Sequence, residues 1–171
     1  APALASPAMD ATALQELEQL CFLVFTGGAQ NSANGAGGSQ ALIELLEAQR
    51  RLRQLQASAQ YLPQLQSTLE NSQSPYALLF AAKSILMVLT NDWRNVSHQQ
   101  RVQLQRFLLQ FLANGPERPG FVVNAVIHAL CRLTKLGWCS DVALRGFMDD
   151  LVQLLKADVP HAVLSLRILS E

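Results

Sequence analysis

FVVNAVIHALCRLTKLGW, residues 121–138, holds the clearest helical pattern of the chain. Val123, Val126, Ile127, Leu130 and Leu133 recur at helical spacing on one side, and Asn124, His128, Arg132 and Lys135 fall on the other, so the segment is a helix with one packed and one wetter face. It is expected to run from about Phe121 to Leu136 and to stop at Gly137. Immediately before it, Ser97 stands as an N-cap for a helix reaching Asn114, closed by Gly115-Pro116. Before that, Pro75 opens a helix to about Asn91 that is apolar almost all round, with Tyr76, Phe80, Lys83, Met87 and Thr90 on one stripe at alternating spacings of four and three. After it, Ser140 or Asp141 opens a helix to about Lys156, and Pro160 sits in the first turn of another that runs to Glu171.

Further upstream, Asp10 caps a helix to Phe25 that is expected to stop at Gly27-Gly28, with Leu14, Leu17, Cys21, Val24 and Phe25 inward. A second helix is predicted from Ser39 to Gln56, with Leu42, Leu45, Leu46, Leu52 and Leu55 inward, and a third, Gln-rich, from Ser58 to Asn71 with Pro63 in its first turns. Residues 29–38 are almost all Gly, Ala, Asn, Ser and Gln, so 27–38 is expected to be a flexible insert. Residues 1–9 lack the basic flank of a secretory signal and are expected to be a disordered lead-in.

Eight predicted helices pair into four hairpins whose first members start near residues 10, 58, 97 and 140. A unit of two helices recurring at about 40 residues is the pattern of HEAT or armadillo stacking. The expected fold class is therefore all-α, an α-α superhelix of about four hairpins over residues 10–171. The last helix has no stop signal, and the chain is expected to be truncated at its carboxy end.

Composition agrees with this class. Leu, Ala and Gln supply 31, 22 and 17 of the 171 residues and aromatics only 6%, which favours helices over sheets. Thirteen Lys plus Arg balance thirteen Asp plus Glu, so long-range steering onto nucleic acid or an anionic membrane is not expected. The stretch from Tyr76 to Leu89 is interrupted by Lys83 and Ser84 and is too short to span a bilayer. Cys21, Cys131 and Cys139 show no metal spacing, and His98, His128 and His161 show no i, i+4 pairing, so neither a metal nor a cofactor is expected. Asp149-Asp150 imitates a carboxylate pair, yet adjacent helical positions diverge by about 100°. No catalytic residue is assigned and the chain is not expected to be an enzyme. A small helical enzyme using Cys131, Cys139 or His128 would need an enclosed pocket that stacked hairpins seldom form.

The second helix of each pair in a solenoid usually lines the concave side. Two such helices carry matching stripes: Tyr76, Phe80, Lys83 and Met87, then Asn124, His128, Arg132 and Lys135. The competing account makes these the solvated edges of buried helices.

The run SPYALLFAAK at 74–83, Gln100-Arg101 with FLLQFLA at 107–113, and above all RLTKLGW at 132–138 resemble the amino-terminal repeats of the importin-β superfamily, closest to the exportin-seven type. That resemblance implies a nuclear transport receptor that binds the small GTPase Ran in its GTP form through the two concave stripes. It implies that cargo proteins and nucleoporins engage the wider receptor, and that the protein shuttles between nucleus and cytoplasm. The alternative is a generic HEAT-repeat scaffold unrelated to Ran, which would show the same repeat pattern. Trp138 is expected to pack beneath the turn after Gly137.

Overall fold

The computed structural model describes residues 10–30, 38–113, 118–140 and 142–171. The lead-in at 1–9 and the centre of the expected insert, 31–37, lie outside them. Among the described residues every regular element is helical, nine α-helices with two short 3-10 turns. The fold is all-α, of helical hairpins in the HEAT manner, as the repeat spacing predicts. Two compact units divide between Val88 and Leu89.

In the first unit, α1 (Ala11–Gln30) packs against α2 (Gly38–Leu55), followed by α3 (Leu62–Asn71) and α4 (Pro75–Asn91), whose last residues fall in the second unit. α1 does not stop at Gly27-Gly28 but runs through them to Gln30. A helical glycine costs only about 1 kcal/mol relative to alanine, so a pair of them weakens a helix without ending it. Pro63 does sit in the first turn of α3, where its missing N–H has no intrahelical partner to lose. The core gathers Leu17 and Cys21 from α1, Ala48 and Leu52 from α2, Leu62, Leu65 and Leu69 from α3, and Ala77, Ala81 and Ile85 from α4. Leu42 and Leu46, expected inward, are about half exposed. The packed line of α2 runs through Ala48 and Leu52, and Leu46 and Leu42 lie off that line.

Polar groups in this core are paired. Gln56 Nε2 donates to the fully buried Ser84 Oγ at 3.2 Å, tying the loop after α2 to α4, and Ser72 Oγ donates to Glu18 at 2.5 Å, tying the end of α3 to α1. A buried hydroxyl without such a partner would cost about 1–3 kcal/mol.

In the second unit, α5 (His98–Ala113) packs on α6 (Gly120–Gly137), and α7 (Val142–Arg145) leads through Gly146 into α8 (Phe147–Ala157), which pairs with α9 (Val159–Leu169). The predicted seventh helix is thus two, α7 and α8, with Gly146 at the break. Ser97 caps α5 as expected: Gln100 N–H donates to Ser97 Oγ at 3.3 Å, and Ser97 N–H donates to Gln100 Oε1 at 2.9 Å. This reciprocal box satisfies two N–H groups at the helix start. Asp158 caps α9, accepting from His161 N–H at 2.9 Å.

α6 does not end before Gly137; it includes it, with no positive φ. The glycine is needed for space. A Cβ there would stand 2.0 Å from Leu144 Cδ1 and 3.5 Å from the Trp93 ring. Gln105, 5% exposed, closes the same junction by donating to Thr134 Oγ1 at 3.0 Å and to the Leu144 carbonyl at 3.2 Å. Thr134 in turn donates to the Leu130 carbonyl, so its oxygen is left to accept from Gln105. Trp138 is 40% exposed instead of sealing the turn, and the side chains that approach Gly137 are Leu144 and Trp93. The backbone of Trp138 continues α6 in helical conformation.

Candidate functional site

The stripe on α4 belongs to the first unit. Lys83 and Met87 are exposed, Met87 at 42%. Tyr76 is half-buried because α1 supplies two rings to it: Phe25 stacks at 5.6 Å between centroids with planes 11° apart, and Phe22 meets it edge-on at 6.3 Å. Phe25 therefore serves this exposed aromatic cluster and remains 42% exposed itself, although it was expected inward. Phe80 is a correction to the expected face. It is only 5% exposed and belongs to the core, since α4 is apolar all round and a spacing rule alone cannot say which of its stripes is wet. What α4 offers outward is an aromatic edge at Tyr76, a cation at Lys83 and a thioether at Met87.

On α6, in the second unit, Asn124, His128 and Lys135 are exposed and Arg132 is half-buried. The last helix and the residues after it meet this stripe. Arg167 donates to Asn124 Oδ1, the Glu171 carboxylate lies 3.4 Å from His128 Nε2, and Lys135 Nζ donates to the Glu171 carbonyl. Between these contacts the Cys131 thiol donates to the Ile168 carbonyl at 3.5 Å. Arg132 Nε is buried without a hydrogen-bond partner among the described residues. Sequence spacing puts the four α6 positions on one stripe but gives no sign of Arg167 and Glu171, which lie 43 residues from Asn124 and 36 from Lys135. The stripe is thus already partnered: Lys135 donates to a carbonyl, His128 faces a carboxylate, and Asn124 accepts from Arg167.

Other chemistry is thin. An apolar cavity of about 420 Å³ beside this face is lined by Cys131, Trp138, Cys139, Phe147, Met148 and Leu169, among others. Burial pushes the Cys131 thiol up, and burial with Glu18 nearby pushes Cys21 up to about 12, so both are held as thiols. No three His, Cys, Asp or Glu gather as metal ligands among the described residues. No helix among them is long and apolar enough to cross a membrane.

Helices that pair into hairpins and present polar stripes on their second members define a class, the HEAT-type helical-repeat proteins. Residues 48–114 match the Importin-beta N-terminal domain. The chain is 29% identical over 162 residues to Ran-binding protein 17 of Mus musculus, covering 92% of this chain and 14% of the relative. It is 30% identical over 129 residues to Ran-binding protein 16 of Drosophila melanogaster and 28% over 130 residues to Exportin-7-A of Xenopus laevis, covering 73% and 74% of this chain but 11% and 12% of those relatives. No solved structure matches significantly. Residues 48–114, which include the runs at 74–83 and 107–113, thus carry the amino-terminal domain of the importin-β superfamily.

Proposed function

We propose that this chain is the amino-terminal portion of a nuclear export or transport receptor that binds the small GTPase Ran in its GTP form, with no catalytic step of its own. The observation that carries this reading is the alignment of 92% of the chain with a protein named for Ran binding and of 74% with one named as an exportin. The positions proposed for contact are Tyr76, Lys83 and Met87 on α4, and Asn124, His128, Arg132 and Lys135 on α6; Phe80, being buried, is not among them. Lys135, which donates to a carbonyl, and His128, which lies beside a carboxylate, support this stripe as a surface for partner carboxylates and carbonyls. Cargo proteins and nucleoporins would engage the wider receptor, and the protein would shuttle between nucleus and cytoplasm.

The test separates the cations of the stripes from others. Lys83→Glu with Lys135→Glu, both at exposed positions, is expected to weaken binding to GTP-loaded Ran without loss of helicity, while Arg94→Glu with Lys156→Glu, also exposed, is not. Equal losses from both pairs would indicate a general charge effect and remove the assignment. A HEAT scaffold unrelated to Ran would show no binding in the parent chain.

A further inference from the structure

Where α5 ends and α9 begins, one side chain bridges two acceptors. His161 Nδ1 lies 2.6 Å from Asp158 Oδ1, and its Nε2 lies 3.1 Å from the carbonyl oxygen of Ala113, the last residue of α5. A carboxylate and a carbonyl can only accept hydrogen bonds, and a neutral imidazole has a single N–H to donate. Both contacts are made together only by the imidazolium. We propose that His161 is a protonated clamp that fastens the first turn of α9 to the last turn of α5 and lets go as the pH rises.

The surroundings suit a cation held in place. The final carbonyls of a helix lack intrahelical partners and carry the negative end of its dipole, so the Ala113 oxygen is a favourable acceptor for a charged donor. Asp158 is fixed independently of the ring, because the same carboxylate oxygen caps α9 through the His161 N–H at 2.9 Å. The imidazole is about one-quarter exposed, so the clamp is covered enough to be specific and open enough to exchange its proton. The charged groups that line the adjoining cavity of about 500 Å³ are Arg106 from α5 and Asp150 from α8, one of each sign, and the remaining polar lining, Gln110 and Gln153, is neutral. Asp158 is therefore the charge that decides the state of the ring. Its hydrogen bond holds His161 above the ordinary histidine value, against a smaller opposing effect of desolvation, and His161 holds the Asp158 carboxyl below its own.

The sign of the pH dependence follows. A histidine whose folded value is raised contributes stability that is complete below the unfolded value of about 6.5 and is lost as pH rises through the folded value. The helix fastened in this way also carries Arg167 and lies just before Glu171, the two residues that sit on the α6 stripe, so the clamp governs how firmly that stripe is covered. This holds whether or not the stripe binds Ran.

The experiment is a titration of the three histidine rings in the full chain by long-range proton–nitrogen NMR, from about pH 5 to about pH 9. His98→Gln and His128→Gln assign the His161 ring by elimination. The expected result is a His161 midpoint above about 6.5, with both nitrogens protonated below it, and a lower midpoint in Asp158→Asn, which keeps a capping side chain. In parallel, the melting temperature of His161→Gln should fall below that of the parent at about pH 5.5, with the gap closing as pH rises. A His161 midpoint at or below about 6.5, or one unmoved by Asp158→Asn, would overturn the clamp. If either variant fails to fold, the parent titration decides.

Discussion

Replacing Gly137 with Ala adds one methyl group where α6 meets α7, and its cost can be worked from the structure. The new Cβ would lie 2.0 Å from Leu144 Cδ1 and 3.4 Å from its Cγ, with the Trp93 ring at 3.5 Å. Carbon atoms pack at about 3.5–4.0 Å, so the Leu144 methyl must retreat by about 1.5 Å or more. It has little room to do so. Leu144 is fully buried, and Gln105 holds its carbonyl. Overpacking of this kind costs about 1–3 kcal/mol. Alanine recovers at most about 1 kcal/mol of helix propensity, less at a helix end, and no left-handed backbone has to be undone. The expected net loss is about 0.5–2 kcal/mol. Urea unfolding followed by tryptophan fluorescence reads it, since Trp93 adjoins the site. Combining the substitution with Leu144→Ala sharpens the argument. Leu144→Ala alone should cost about 2–5 kcal/mol, and in that background Gly137→Ala should be neutral or stabilising, because the clashing methyl is gone. An unchanged or higher stability of Gly137→Ala in the parent, or the same cost in both backgrounds, would show that Leu144 does not crowd this position.

Two further expectations concern buried groups. Gln105→Leu should destabilise the second unit by about 1–3 kcal/mol, measured by urea unfolding, because the Leu144 carbonyl loses its donor in a buried junction. Thiol labelling of the folded chain near pH 8 should modify Cys139 alone, because Cys139 is exposed whereas burial keeps Cys21 and Cys131 inside and protonated. All three should react in denaturant, and fast labelling of Cys21 without it would contradict the core assignment.

Much of the fold was legible because punctuation and periodicity agree locally. Pro75 and Asn91 bound α4 where the sequence places them, and Ser97 with Gln100 forms the box its spacing suggests. The errors arise where the deciding force is distant or weak. Gly27-Gly28 carry a modest propensity penalty that α1 absorbs, and Gly146 interrupts a segment whose apolar period continues across it. Gly137 has the look of a helix stop, yet its role is set by Leu144 and Trp93. At the candidate site, helical spacing finds the α6 stripe but not its cover, because Arg167 and Glu171 arrive only through folding. Phe80 shows the complementary failure: on a helix apolar all round, spacing cannot tell a wet stripe from a buried one.

The central claim is recognition of Ran in one nucleotide state, and calorimetric titration of the chain with Ran carrying a GTP analogue or GDP tests it most directly. The account predicts saturable binding to the GTP-analogue form, weaker or absent binding to the GDP form, and loss of the difference in Lys83→Glu/Lys135→Glu. Equal affinity for the two forms, or no binding to either by a folded chain, would contradict it.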